Sequence, residues 1–485
     1  MARMNDKTIK RNYLLNTIYQ VFSIVLPVVT MPYESRKFSA YGVGIRSYTT
    51  SVMTIFMLLA ALGCSAYGER EIARKRKNRR EYTRAFWEIE ITNLLLTAIM
   101  VVIYILYIAI FGGSLKAYYG VLTIALIGNA FQISWFYTAF EEFDLVIIKN
   151  TAVRLIDAVL LFVIVKNSKG LLPYMVAVAV VGLFGNLFLW ISLKKYLVRV
   201  KISDIYIGVH IRKSLSYFIP VVATTLYTII DKAMIGGISK SKYENGYYEQ
   251  ASGFIKMILA LVTSMNTVMS ARMSLLFEEG KLEEIKKKLH DSLNTTLSIT
   301  IPLMVMIIGV ARLFIPKFLG PGYLPVVNLV YVFAFILFPM ALSNALSLQC
   351  LNPAGRARES SRIVIMSAVI NAALNAILIY LFKSMGAAIA SVISESFIAV
   401  VYMKKCSDFI SWKNIIDFSG KKIKAAVGML AAMILVGIPF RSSNIIAAIL
   451  QLIAGIMVYV FLMLKMKDEF VMNMVKKVKK QLKKF

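Results

Sequence analysis

The sequence predicts an all-α integral membrane protein of fourteen transmembrane helices, arranged as two six-helix lobes plus two C-terminal helices, with both termini in the cytoplasm. Three observations predict it. The first is composition. Of 485 residues, 58% are hydrophobic and only 17% charged, and the mean hydropathy is +0.69. Soluble domains are nearer half apolar and a quarter charged. The second is the distribution of basic residues, which alternates loop by loop. The third is a repeated pattern of long basic linkers that divides the chain into matching halves.

A spanning helix needs about 20 consecutive, mainly apolar residues. The first lobe (1–193) supplies six: 12–32, 43–64, 86–111, 118–138, 147–165 and 171–193. A linker, 194–213, leads to six more in the second lobe (214–403): 214–237, 250–270, 293–315, 323–350, 363–382 and 386–403. The last region, 404–485, holds spans 425–440 and 445–464 and a basic tail. Span 1 follows a basic lead (Arg3, Lys7, Lys10, Arg11), but its apolar run is too long for a signal-peptide core. It is therefore expected to stay. Within spans 1–6 the second is followed by a long basic linker (65–85), and within spans 7–12 the eighth is followed by another (271–292). Stretch 277–289 alternates acidic and basic residues and reads either as a short interfacial helix or as a solvated linker.

Orientation follows from the excess of Lys and Arg on cytoplasmic loops. With the N-terminus inside, 41 of the 56 Lys and Arg fall in inner segments, 11 in outer ones and four within spans. The formal charge of +30 is thereby explained without nucleic acid. Cys64, Cys350 and Cys406 show no CxxC spacing and predict no disulfide framework. His210 and His290 fall in basic loops, where solvated side chains are expected. No phosphate-binding G-x-x-x-x-G-K-[ST] loop occurs. No cofactor is expected.

Ionisable groups inside spans carry the functional signal, because each costs about 2.5 to 3.5 kcal/mol to insert at mid-bilayer. They are Arg46, Arg154, Asp157, Asp231, Lys232, Lys256 and Glu395. Arg154 and Asp157 are one helical turn apart and can pair on one face, as structural partners or as part of a path. Asp231 and Lys232 are adjacent and point about 100° apart. Lys232, Lys256 and Arg46 lie toward the outward side, facing either headgroups or a cavity. Asn16 and Gln20 share a face of span 1, as Asn371 and Asn375 do on span 11. Pro27, Pro220, Pro302 and Pro339 each remove a backbone donor within a span.

Taken in order, several stretches form a familiar series. They are Asn16-x3-Gln20, Pro32-Tyr33-x-Ser35-Arg36, Gly42-Val-Gly44 and Tyr67-Gly68-x-Arg70-Glu71-Ile72-Ala73; Ser134-Trp135-Phe136 with Glu141-Glu142-Phe143; Asp231-Lys232-x3-Gly236; Gly246-Tyr247-Tyr248-Glu249-Gln250-Ala251; and Leu351-x-Pro353 through Asn371-x3-Asn375 to Gly386-Ala387 and Glu395. Across about residues 10–400 this series resembles the Wzx-type polysaccharide repeat-unit flippases of the multidrug/oligosaccharidyl-lipid/polysaccharide exporter superfamily. The resemblance implies a flippase of the bacterial cytoplasmic membrane. It would move undecaprenyl-pyrophosphate-linked oligosaccharide outward by alternating access through a central polar cavity, without enzymatic chemistry.

Arg46, Arg154, Asp231, Lys232, Lys256, Asn16 and Gln20 are then the candidate cavity residues. Asp157, Asp231 and Glu395 are the candidates for coupling to a proton or sodium gradient. The expected partners are the lipid-linked saccharide, the bilayer and a polysaccharide polymerase, with the protein itself a monomer and no nucleic acid bound. The chain departs from the pattern at Phe38-Ser39, Gln132, Ala139 and Ala271; Gln132 stands where many relatives carry a carboxylate, which weakens a coupling role for span 4. The competing reading is a cation-coupled drug exporter on the same fold, disfavoured by like charge at Lys232 and Lys256. A glycan polymerase would need a large catalytic outer loop, and the longest here, 238–249 and 312–325, are too short.

Overall fold

The structure is a computed structural model that describes residues 6–440, 445–468 and 470–472; within α1, α8 and α9, defined below, some side chains, including Asn16 and Gln20, lie outside the described set. Contacts divide the chain into two compact units, Met1–Gly236 and Gly237–Phe485. The described residues are helical, with short connecting turns.

The first unit contains α1 (Asp6–Ala61), α2 (Cys64–Lys75), α3 (Arg79–Phe111), α4 (Lys116–Ala130), α5 (Ser134–Ala139), α6 (Phe143–Ile164), α7 (Leu171–Ile191) and α8 (Ile211–Met234). Although α1 reads as one 56-residue helix, its backbone reverses at Ser39 (φ 57°, ψ 174°). Arg46, seven residues after that point, meets Glu34, five residues before it, at 2.6 Å. The two legs therefore lie side by side as a hairpin, turning within the predicted outer loop 33–42. Next, Leu62 and Gly63 take positive φ (40° and 75°) and pass the chain to α2. Gly63 is required twice over. Its φ suits glycine, and a Cβ there would sit 2.6 Å from the Ser214 carbonyl oxygen and 2.7 Å from the Phe218 nitrogen. The side chain of Asn78 caps α3 by accepting from the amides of Arg80 and Glu81, the expected use of an N-cap amide.

Two aromatic cores hold this unit together. In one, Tyr104 and Tyr119 are buried, with ring centroids 6.3 Å apart edge-to-face, and Phe56 meets Tyr104 at 4.9 Å. In the other, Phe86 meets Phe136 at 5.1 Å and Trp135 at 5.7 Å. Such pairs add about 0.5 to 1.5 kcal/mol each beyond their area.

The second unit contains α9 (Lys242–Glu278), α10 (Leu282–Leu319), α11 (Leu324–Ala334), α12 (Leu337–Leu346), α13 (Ala357–Lys405), α14 (Trp412–Gly437) and α15 (Ile445–Lys465). Like α1, α13 is a hairpin; it turns at Lys383 (φ 52°, ψ −129°). Across it the Ser367 hydroxyl donates to the Ser394 carbonyl at 2.9 Å, and the Ser360 and Tyr402 hydroxyls meet at 2.7 Å. Gly386 fits because a Cβ would fall 1.9 Å from the Leu378 carbonyl oxygen. Helices α11 and α12 follow one another with a 43° bend at the break between them. Pro339 sits at the third position of α12, and its missing N–H leaves the Phe335 carbonyl without an i−4 donor at the bend. By contrast, Pro27 and Pro302 lie in α1 and α10 without non-helical backbone beside them. Stretch 277–289 is no separate helix. It is the end of α9, a turn, and the start of α10.

Among the described residues seven helices are long and apolar enough to cross a membrane, or eight if the bent pair is one span. Two of these stretches, Val25–Lys75 and Ala357–Lys405, run 51 and 49 residues and include the hairpin turns. Along α3, Ile99, Val102, Ile103, Ile105, Leu106, Ile110 and Phe111 are exposed in succession. A water-soluble surface rarely carries so large an apolar patch; hydrocarbon is its natural solvent.

Candidate functional site

In the first unit the embedded charges gather around the α1 hairpin. Arg46 Nη1 meets Glu34 Oε1 at 2.6 Å, with side chains 29% and 10% exposed. Tyr174 of α7 lies within electrostatic range of Arg46, Glu34 and Asp157, so α1, α6 and α7 bring one cation, two carboxylates and a phenol into a single neighbourhood. Arg154 is exposed on α6. It does not form the ion pair that its spacing from Asp157 allows. Asp157 Oδ1 is instead enclosed and accepts no hydrogen bond. Asp231 is buried on α8 and Lys232 half-buried, and α8 packs on α1 and α2. Gly236, just beyond, leaves no room for a Cβ, which would fall 2.0 Å from the Tyr48 ring. Asn16 and Gln20 fall outside the described side chains.

In the second unit, Glu395 is buried on α13 and Lys256 is exposed on α9. Asn375 Nδ2 donates to Asn371 Oδ1 at 3.0 Å, so that predicted pair closes on itself. Nearby, the Tyr248 and Ser391 hydroxyls meet at 3.2 Å. A chain of amides joins α9 to α12: Gln349 Nε2 donates to Asn266 Oδ1 at 3.0 Å, and Asn266 Nδ2 to Asn344 Oδ1 at 2.9 Å. Buried polar groups joined this way replace the hydrogen bonds that lipid cannot offer.

Several groups escaped the sequence reading. Glu34 was hidden because its partner lies twelve residues on, across a turn. His210 is not a solvated loop residue: it is 4% exposed. Its Nδ1 meets the Tyr67 hydroxyl at 2.7 Å and its Nε2 meets Glu88 Oε2 at 2.8 Å. Arg84 Nε donates to the other Glu88 oxygen at 2.9 Å. Glu90, two residues on, is wholly buried, and neither carboxylate oxygen has a hydrogen-bond partner. Lys422 is buried as well, donating to Asn294 Oδ1 at 2.7 Å and to the Phe418 carbonyl at 2.8 Å, with Asp468 at 3.4 Å. The one available signal was a Glu or Lys at helical spacing from apolar residues near a span end, where burial and snorkelling look alike. Among the described residues no group of three His, Cys, Asp or Glu could hold a metal ion.

Comparison with known proteins identifies the family and the fold. A putative O-antigen transporter of Escherichia coli (strain K12) is 22% identical over 417 residues, covering 81% of this chain and 95% of that protein. A putative O-antigen transporter of Shigella dysenteriae is 22% identical over 403 residues, covering 81% and 99%. Among solved structures, lipid II flippase MurJ in an inward closed conformation superposes with a TM-score of 0.77 at 17% identity, over 94% of this chain and all of that one. An inward-facing MATE-family multidrug transporter gives 0.58 at 14% identity, over 83% and 98%. This chain shares the fold of both, and the fold and apolar helices are those of a multi-pass protein of the bacterial inner membrane. The model of the polysaccharide biosynthesis protein family matches residues 9–275, more than half of the sequence, and the chain belongs to that family.

Proposed function

We propose that this protein is a flippase for lipid-linked oligosaccharide repeat units in surface-polysaccharide synthesis. Its substrate class is a saccharide carried on undecaprenyl pyrophosphate, moved from the cytoplasmic to the outer leaflet by alternating access. The observation that carries the reading is the near full-length similarity to two relatives named as O-antigen transporters, joined to cations held within the first unit beside apolar, lipid-suited helices. On this reading the chain crosses fourteen times with both termini cytoplasmic, as two six-helix lobes and a C-terminal pair. The hairpin turns at Ser39 and Lys383 support that count, since each gives one long apolar helix the length for two crossings. No bond is made or broken, so the protein acts as a transporter and not as an enzyme.

The physical need is clear. Each unsatisfied polar group costs several kcal/mol in hydrocarbon, so a sugar pyrophosphate needs a polar passage while its isoprenoid tail stays in lipid. Arg46, Arg154, Lys232 and Lys256 are the groups assigned to the phosphates, and Asp157, Asp231 and Glu395 to an ion gradient. A monomer suffices, with a polysaccharide polymerase as a downstream partner.

The test is to reconstitute the purified chain in vesicles with a fluorescent polyprenyl-pyrophosphate saccharide and follow its accessibility to a membrane-impermeant quencher. Protein-dependent exchange between leaflets is expected, together with inner-leaflet accumulation of lipid-linked units in a deletion strain. Exchange no faster than in protein-free vesicles, with efflux of amphipathic cations instead, would replace this reading with the drug-exporter one.

A further inference from the structure

We propose that Glu90 is a proton-binding site of the first unit, sealed by the packing of α2 and α8 near α3. It is 0% exposed, and both carboxylate oxygens are enclosed without a hydrogen-bond partner. Glu90, Asn93 and Thr97 are spaced i, i+3, i+7 and line one face of α3. The Asn93 Nδ2 donates to the Ala130 carbonyl at 3.1 Å and lies close enough to act on Glu90 as a neutral dipole, and the Thr97 hydroxyl is enclosed and unpartnered.

The surrounding groups offer no counter-charge. From α2 come Cys64, which neighbours both Glu90 and Ser214, and Tyr67, which is engaged by His210. From α8 comes Ser214, buried with an unpartnered hydroxyl, while Arg212 and Lys213 are exposed. Tyr137 of α5 donates to the Leu189 carbonyl. Residues 49–61 of α1 and 120–130 of α4 contain no titratable side chain. Glu88, two residues away and so about 200° around the helix, is held by Arg84 and His210.

A carboxylate enclosed without a counter-charge would forfeit several kcal/mol of hydration. A proton is the smallest species that removes that cost. It adds to a carboxylate oxygen as an O–H bond and leaves by the same route. A metal ion would require a shell of several oxygens, and no acidic cluster gathers among the described residues. Access is governed by α8, whose first turn follows the His210 contact with Tyr67 and Glu88, and whose backbone lies against Gly63. Lifting that turn lets water reach Glu90. This deepens the flippase reading and rests on it only for the coupling step.

The experiment uses the full chain in phosphatidylethanolamine–phosphatidylglycerol vesicles. Infrared spectra are recorded against pH for the native chain and Glu90→Gln, which keeps the side-chain shape; helicity is checked by circular dichroism, with Glu90→Leu as a second variant. The expected result is a carboxylic-acid carbonyl band present in the native protein and missing from both variants. Superposable spectra would overturn the proposal, as would a band that sodium removes at fixed pH. In the leaflet-exchange assay, an imposed pH gradient should accelerate the native chain severalfold and leave Glu90→Gln unaffected; equal acceleration would overturn the coupling role. Absence of exchange in both proteins would sink the flippase reading while the infrared band still decides the site.

Discussion

Breaking the contact between Arg46 and Glu34 tests whether embedded charges hold the first unit together. Replacing Arg46 with Met keeps most of the side-chain volume but takes the guanidinium away from Glu34, whose side chain is only 10% exposed. Breaking a fully buried pair costs about 3 to 5 kcal/mol. Arg46 retains 29% exposure, so part of that penalty is relieved by solvent, and about 2 kcal/mol is expected, within the range for hydrogen bonds to charged groups. The double variant Glu34→Gln/Arg46→Met removes both charges and should lose under ~1 kcal/mol, since apolar or neutral replacements of buried pairs are often close to neutral. Glu34→Gln alone should cost about 0.5 kcal/mol, because the neutral amide oxygen still accepts from Arg46, so the cycle predicts a coupling energy of about 1.5 kcal/mol. Denaturant or thermal unfolding of the purified proteins in a single detergent would measure it. Additivity within ~0.5 kcal/mol would refute the reasoning, because the 2.6 Å contact would then carry no energy. Export gives a separate readout: on the flippase reading the double variant is stable yet impaired, because the guanidinium is gone.

Other consequences follow from the same geometry. His210→Ala removes two contacts to buried partners; Glu88 keeps Arg84 and the Tyr206 amide, so the cost is that of the Tyr67 hydroxyl, about 1 to 3 kcal/mol, and limited proteolysis of linker 194–213 should quicken correspondingly. Lys422→Ala takes the ammonium from Asn294 and from Asp468, which keeps the Phe470 and Val471 amides, and should destabilise by about 2 kcal/mol. Lys422→Met with Asp468→Asn should recover most of it, seen as thermal melting that returns toward the native temperature. Gly386→Val places side-chain atoms against the Leu378 carbonyl, where even a Cβ falls 1.9 Å away; overpacking of about 1 to 3 kcal/mol should show as reduced yield of folded protein, and an unchanged yield would argue against the close approach of the α13 legs.

That the chain is built of long apolar helices was legible in the sequence because hydrocarbon imposes a single requirement, an apolar run of sufficient length, and composition alone reports it. Breaks between apolar runs at 33–42 and 383–385 were legible for the same reason, and the backbone turns at Ser39 and Lys383 within them. The glycines of the recognised motifs also acquire physical reasons: Gly236 against Tyr48 and Gly386 against Leu378 admit no side chain. Pairing was not legible. Glu34 was assigned to an outer loop, and only the three-dimensional turn shows that it reaches Arg46. His210 was assigned to a solvated linker because its neighbours are basic, yet its partners come from α2 and α3, 143 and 122 residues away. A hydropathy window weighs each residue by its sequence neighbours, and a contact between helices is invisible to it. The Arg154–Asp157 spacing shows the converse. Helical geometry permits that pair, and the packing does not use it.

The Arg46–Glu34 contact also constrains how a flippase could bind its cargo. A bare guanidinium in a low-dielectric passage would hold a pyrophosphate tightly, and a tightly held cargo leaves slowly. With Glu34 already on Arg46, an incoming phosphate must displace a carboxylate, so the net gain is the difference between two charge-assisted contacts rather than the whole of one. The same exchange returns Arg46 to its partner when the headgroup departs, sparing the passage an uncompensated charge. Glu34→Gln should then tighten substrate binding while slowing turnover, because the competitor is weakened but the cation remains. Single-turnover exchange in vesicles separates the two effects. A variant that binds more weakly and turns over at the native rate would show that Glu34 only positions Arg46.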